Sequence, residues 1–414
     1  MPLPSPVSDE ELVERFTAVT EFLATHRVLW TERPFIERRV AWRDTHPEIH
    51  RGFQDLAIDV VEEAEAGRFP DALPPAALAI QEEAKRLTLL PRLDCPPPPG
   101  LTDRAPRRVP ARKWRQIHAF VGPTLPHLAD ATRLVDWCAG KGHLGRTLAG
   151  ITGHPLDAIE RDPALCGRGT EECVESALDG TFHPLDATSD AAHEVVGPGS
   201  AVVGLHACGV LSEVLLETSV ARGAAAAIHA PCCYHALGGD SVRTPRSRIA
   251  RAADLPLTSE QLRLATTDEV VARPSVRSAR RREMRFRLGL DLLLREASGD
   301  DIYLPQGPFP RSLLDQPFES FCHEASTRLE RDLPPSWSPV AAEEAGRERA
   351  REARALGLVR GMFRRVMELH VVLDRALWMH EQGQEVRLGV FCASEVTPRN
   401  IWMSSRPTGG QCPK

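Results

Sequence analysis

No apolar run in this 414-residue chain approaches the roughly 18 to 20 residues that a membrane-crossing helix needs. The start, Met1-Pro-Leu-Pro-Ser-Pro6, has no basic segment followed by an apolar one, so a secretory signal is not expected and a cytoplasmic address is. An excess of either charge is also lacking: 51 Lys and Arg stand against 57 Asp and Glu, a formal net charge of −6. That balance excludes a protein that coats nucleic acid through bulk electrostatics, although local basic patches remain able to bind it. There is no internal repeat, and the only biased tract is Pro96-Pro-Pro-Pro-Gly100. The ten cysteines show none of the paired two-by-two spacings of common structural zinc sites, and without a secretory signal they are expected to be reduced. Cys232 and Cys233 are neighbours, an awkward geometry for pairing with each other.

What is present supports a folded protein of two or three units, since 42% of residues are hydrophobic. The first ninety residues read as helical. Ser8 and Glu11 form a capping-box pattern ahead of Leu12, Phe16, Val19 and Leu23, and a second helix is predicted over 76–90. The expected organisation is an N-terminal helical region over 1–95, a proline-rich linker over 96–110, and an α/β domain over 111–414 with a helical insertion at about 241–383. Candidate strands are 134–138, 156–160, 181–185, 201–205 and 225–230. A long amphipathic helix is predicted through Val359, Phe363, Val366, Leu369, Leu373 and Leu377. It ends near Gly383, and a final antiparallel hairpin follows over 386–392 and 400–404.

The first strand runs into Asp136-Trp-Cys-Ala-Gly-Lys-Gly-His-Leu-Gly145, a glycine-rich turn that opens a helix. Gly140 and Gly142 let backbone approach a ligand, and the helix start offers unpaired N–H groups to an anion. Gly140-Lys-Gly142-His-Leu-Gly145 also satisfies the dinucleotide fingerprint, with Glu160 about 20 residues on as the ribose acid. Asp136 favours S-adenosylmethionine, because a carboxylate at the mouth of the turn would repel a pyrophosphate but suit the ammonium of a methionine moiety. A plain tight turn and a dinucleotide oxidoreductase are the competing readings.

In a parallel sheet, chemistry sits where strands end. Glu160 is then placed to accept both ribose hydroxyls and Asp186 to bind an adenine amino group, unless they are a surface acid and a helix N-cap. The fourth and fifth strands end in Gly204-Leu-His-Ala-Cys-Gly209 and His229-Ala-Pro-Cys-Cys-Tyr-His235, which should meet. His206 is a candidate general base, and Cys232, Tyr234 and His235 are candidate partners in catalysis. A cysteine nucleophile, a zinc site and plain buried thiols are all open alternatives, with no metal expected. Basic patches lie at 104–115 and 273–287, each with a solvated helix face as its bland reading.

Asp136–His143, Gly204–Gly209, Pro231–His235, Thr397-Pro-Arg-Asn400 and Lys113-Trp114 together resemble a family of class I S-adenosylmethionine-dependent methyltransferase-domain proteins found in bacteria and eukaryotes. The pattern is similar to that of tRNA ribose 2′-O-methyltransferases, which carry a comparable His-x-Cys-Gly and Cys-Cys-His-His. The resemblance spans roughly 113–406. It implies a Rossmann-like, seven-stranded methyltransferase sheet with cofactor held by Asp136, Cys138, Gly140, Gly142, Glu160, Asp186 and His206. Two departures stand out: Cys138 replaces the usual first loop glycine, and the fourth strand lacks the Asn-Pro-Pro-aromatic run that base-amino methyltransferases use to grip a flipped base. RNA is the expected acceptor. A protein or small-molecule acceptor, and a non-catalytic cofactor-binding module, are the alternatives.

Overall fold

The computed structural model describes residues 5–67, 73–239, 241–266 and 272–409. Seven strands form one sheet: β1 (Arg133–Trp137), β2 (Leu156–Glu160), β3 (Gly180–Pro184), β4 (Ser200–Cys208), β5 (Ala226–Cys232), β6 (Gln384–Val390) and β7 (Ile401–Pro407), in the order β3-β2-β1-β4-β5-β7-β6. β1 to β5 are parallel, and β7 runs antiparallel to both of its neighbours. The order reverses between β1 and β4, which opens a crevice at their carboxyl ends.

The central strands are apolar runs because helices cover both of their faces. Ile117, Phe120 and Val121 of the Ala111–Thr124 helix pack with Leu134, Leu144, Leu148, Leu156, Val203 and Ile228 in one core. β4 and β5 each extend further than their apolar runs suggested, to Cys208 and Cys232. A bulge explains the extension: Leu205 pairs with Ala230 and Cys208 with Cys232, so two residues of β4 face one of β5.

The chain divides into two compact units, and both are discontinuous. The sheet unit comprises 1–25, 85–267 and 364–414; the other comprises 26–84 and 268–363. The expected linear boundaries at 95 and 110 therefore do not match this division, because helices distant in sequence pack together. The Asp9–Thr25 helix, capped by Ser8, lies with the sheet unit: its Phe16 stacks on His370 and its Thr20 hydroxyl bonds the same ring. The long helix expected through Val359 to Leu377 is two helices, Pro339–Gly361 and Arg364–Glu381, and the unit boundary falls at the break. In the second unit the Pro274–Ser298 and Pro339–Gly361 helices cross closely, where a Cβ added to Gly346 would lie 2.7 Å from the Gly289 Cα. Among the described residues no helix is long and apolar enough to cross a membrane.

Candidate functional site

The glycine turn after β1 holds three consecutive devices. Cys138 takes a left-handed backbone at φ 58, which is how the loop tolerates a side chain where a glycine is usual. Gly140, at φ 61, has open space where a Cβ would sit, so ligand atoms can approach its backbone. Gly142 and Gly145 are glycines for packing: a Cβ would fall 2.5 Å from Phe182 at the first and 2.6 Å from Leu156 at the second.

Asp136 is buried beneath this turn rather than open at its mouth. Its Oδ2 accepts from the Gly145 N–H at 2.9 Å, which ties the strand end to the helix start. Burial pushes its carboxyl up to about 6, opposed by that hydrogen bond and by Lys113. Lys113 is itself pushed down by burial, which Asp136 and Cys232 counter. Glu160 ends β2 with Oε2 accepting from the Gly140 N–H and Oε1 from the Asp162 N–H, both at 2.9 Å. Asp186 is exposed beyond β3 and accepts from the Thr188 N–H and hydroxyl, which lower its carboxyl. It does not cap a helix; Ser189 caps the one that follows.

His206 occupies the β4 bulge at φ 69. Its Nε2 lies 3.2 Å from the Gln116 Oε1, while the Gln116 Nε2 donates to the Val396 carbonyl at 3.3 Å. A carboxamide oxygen only accepts, so His206 Nε2 carries the proton and Nδ1 keeps its lone pair. Burial, then the nearby Lys113, Arg399 and Arg112 cations, push the imidazole down to about 4. The ring is neutral at pH 7. Gln116 went unnoticed in the sequence, where the one available signal was that it lies a helical turn beyond Lys113; Arg399 stood only as part of the Thr397–Asn400 motif, with no role given to it.

The fourth- and fifth-strand loops do meet. The Gly209 N–H donates to the Cys232 carbonyl and the Val210 N–H to the Ala236 carbonyl, lacing them together. Sγ atoms of Cys208 and Cys232 are 3.3 Å apart, and both thiols point to the His206 carbonyl. Hydrogen bonds from Cys208 and Cys232 push the Cys233 thiol down. Cys138 lies apart from this set, its thiol pushed up to about 12 by burial and Glu160.

Two expected participants face elsewhere. Tyr234 is buried, with its hydroxyl donating to Glu368 at 3.0 Å, so it anchors the loop to the Arg364–Glu381 helix. His235 turns its Nδ1 toward the Thr266 hydroxyl at 3.3 Å. Behind them, Arg375 bonds Glu213 and the Gly209 carbonyl, while Arg243 and the Ser247 hydroxyl and N–H bond Asp374. This buried network clamps the segment after β5 onto the helix.

The two basic patches differ. Arg104, Arg107, Arg112 and Arg115 are exposed and form no ion pair among the described residues, and only Arg108 in this stretch reaches an acid, Glu175. In the second patch Arg281 pairs with Glu62 and Glu65, Arg285 with Glu343 and Arg287 with Glu283.

Residues 112–240, which contain the glycine turn, the His206 bulge and the cysteine loops, match the protein family described as "Methyltransferase domain". This stretch is similar to a methyltransferase domain. Proteins described as "Glutathione S-transferase C-terminal domain-containing protein" from Xenopus laevis and Mus musculus are each 30% identical, over 128 and 134 residues. Those matches cover 30% and 32% of this chain but 19% and 20% of theirs, so the chain spans about a fifth of the length of the curated relatives it matches. Among solved structures, an rRNA methylase from Streptococcus thermophilus is 15% identical with a TM-score of 0.23, covering 27% of this chain and 71% of that one. A coclaurine N-methyltransferase bound to N-methylheliamine and SAH is 11% identical with the same score, covering 43% and 62%.

The residues of this stretch fit S-adenosylmethionine. The Gly140 backbone is open to a ligand, and Glu160 and Asp186 stand at the ends of the next two strands.

Proposed function

We propose that the chain is an S-adenosylmethionine-dependent methyltransferase that acts on RNA. The observation that carries this reading is the Gly140–Glu160 pair, two neighbouring strand ends joined at 2.9 Å beneath open space, within a methyltransferase domain. Bound S-adenosylmethionine would supply an electrophilic methyl carbon. Gly140 and Glu160 hold the cofactor, with Asp186 at the adenine side and Asp136 setting the turn from below. His206, with Nδ1 unprotonated and Nε2 held by Gln116, receives the proton that an acceptor oxygen or nitrogen loses. Positioning supplies most of the acceleration.

The acceptor class rests on charge. Arg112 and Arg115 share the Ala111–Thr124 helix with Gln116, which bonds His206, so unneutralised cations stand on the element that holds the candidate base. A polyanion is the acceptor that this arrangement suits.

Equilibrium binding of radiolabelled S-adenosylmethionine to wild type and Glu160→Ala tests the cofactor, with NADH as the competing ligand. Saturable binding weakened at least tenfold in the variant is expected; no saturable binding to wild type would overturn the reading. For the acceptor, labelled methyl transfer is compared across total RNA, protein and small-molecule fractions of an unmodified source. Transfer to RNA that His206→Ala abolishes without loss of cofactor affinity is expected. Cofactor binding without transfer to any fraction would show a binding module instead.

A further inference from the structure

Three sulfurs from two strands converge where no step of the proposed reaction needs them. Cys208 ends β4, Cys232 ends β5, and Cys233 follows it directly; their Sγ atoms all lie within 4.8 Å of one another. Adjacent residues of an extended strand point to opposite faces, so Cys232 and Cys233 should diverge. They do not, because Cys233 takes a left-handed backbone at φ 48. On the partner strand the bulge at His206, φ 69, performs the matching task for Cys208. Two non-glycine residues in left-handed conformation are strained, and such strain collects at sites that use it.

A disulfide does not account for the arrangement, because the Cys208 and Cys232 sulfurs stand 3.3 Å apart and a third thiol joins them. Tetrahedral zinc with Zn–S bonds of about 2.3 Å requires sulfurs about 3.8 Å apart. Small side-chain rotations from the present spacing reach that value. All three residues sit on strand ends laced by backbone hydrogen bonds from Gly209 and Val210, so the ligand frame is held by the fold itself.

We infer that Cys208, Cys232 and Cys233 form a binding site for one soft divalent cation, zinc, with three thiolate ligands. Four-coordinate zinc then keeps one position for a ligand outside this trio, as in sites where the ion acts on a bound molecule rather than only bracing the fold. Thiolate ligands select zinc over magnesium or calcium.

The test uses the full chain purified under reducing conditions, and its readouts do not involve S-adenosylmethionine. Its outcome is therefore separable from that of the methyltransferase reading. Metal analysis by mass spectrometry should find one zinc per chain. Stripped protein titrated with cobalt(II) should develop a thiolate-to-cobalt charge-transfer band and the intense visible bands of a tetrahedral ion at one equivalent. Cys233→Ser and Cys208→Ser should lose these signals, and Cys322→Ser, outside the cluster, should keep them. If the cluster variants fail to fold, the cobalt spectrum of the wild type decides alone. Absence of a thiolate–cobalt band in folded, reduced wild type would overturn the inference, as would a metal content unchanged in the folded cluster variants. So would a Cys208–Cys232 disulfide that persists in the reduced preparation.

Discussion

Cys138 holds its place in the glycine turn with a left-handed backbone, and the side chain gains little in return because it is only partly buried. Cys138→Gly should therefore raise stability by about 0.5–1 kcal/mol, the relief of strain less the added entropy of the unfolded chain. A urea midpoint that falls instead would show that the thiol packs more tightly than its exposure indicates. Asp136 presents the converse case, a carboxyl whose ordinary value of 3.8 rises to about 6 in the fold. The folded state then holds its proton more tightly than the unfolded state does. Its contribution is fully present below about pH 4 and is lost as pH climbs through 6, a decline on the order of 3 kcal/mol. Asp136→Asn keeps an oxygen for the Gly145 N–H and removes the titration. Thermal midpoints measured from pH 4 to 7 should fall for wild type relative to the variant, and parallel curves would contradict the shift.

At the scale of elements, the site depends on two loops that descend from different strands and share hydrogen bonds. Gly209 is the pivot: at φ 51, a Cβ would lie 2.0 Å from the Ala236 carbonyl oxygen, backbone that cannot step aside. Gly209→Ala should cost about 3 kcal/mol or more, combining conformational strain with a forced backbone shift. It should also expose the Cys208 and Cys232 thiols to alkylating reagents. Unfolding by urea, together with thiol labelling rates, measures both effects. Wild-type behaviour in either would mean that the loops are not locked as described. The same lacing explains Tyr234, whose motif looked catalytic in sequence but whose hydroxyl is taken by Glu368. Its position in the motif reflects the need to hold the cysteine loop against the Arg364–Glu381 helix.

For the whole molecule, the two arginine patches differ in how far they are neutralised. Arg281, Arg285 and Arg287 answer acids of their own unit, whereas Arg104, Arg107, Arg112 and Arg115 form no ion pair among the described residues. Replacing Arg104, Arg107, Arg112 and Arg115 by Gln should weaken RNA binding. It should also flatten the dependence of affinity on salt by about 0.7 logarithmic units for each phosphate that the variant no longer neutralises. Arg281→Gln should leave that slope unchanged and instead lower stability slightly, since Glu62 loses its nearest cation while Arg354 still holds Glu65. Filter binding across a salt series separates the two, and equal effects from both patches would refute the assignment.

Much of this architecture was legible before any coordinate. Apolar runs punctuated by turns identified β1 to β5 within a few residues, and Gly140, Gly142 and Glu160 stood out because a strand, a tight turn and a helix start leave local marks. The sequence by itself determined that a glycine turn would sit at a sheet's carboxyl edge, and that two cysteine-bearing loops would lie near it. Only the tertiary structure decided how those loops are aimed. Bond partners such as Gln116 with His206, or Tyr234 with Glu368, lie 90 and 134 residues apart. Periodicity and caps report only on neighbours within a turn or a strand. The break between Gly361 and Arg364 and the two interleaved units share that cause, since each depends on what a helix face packs against rather than on its own apolar spacing. Three thiols scattered over 26 positions with no metal-binding spacing become a cluster only because a bulge and a left-handed cysteine turn them to one point.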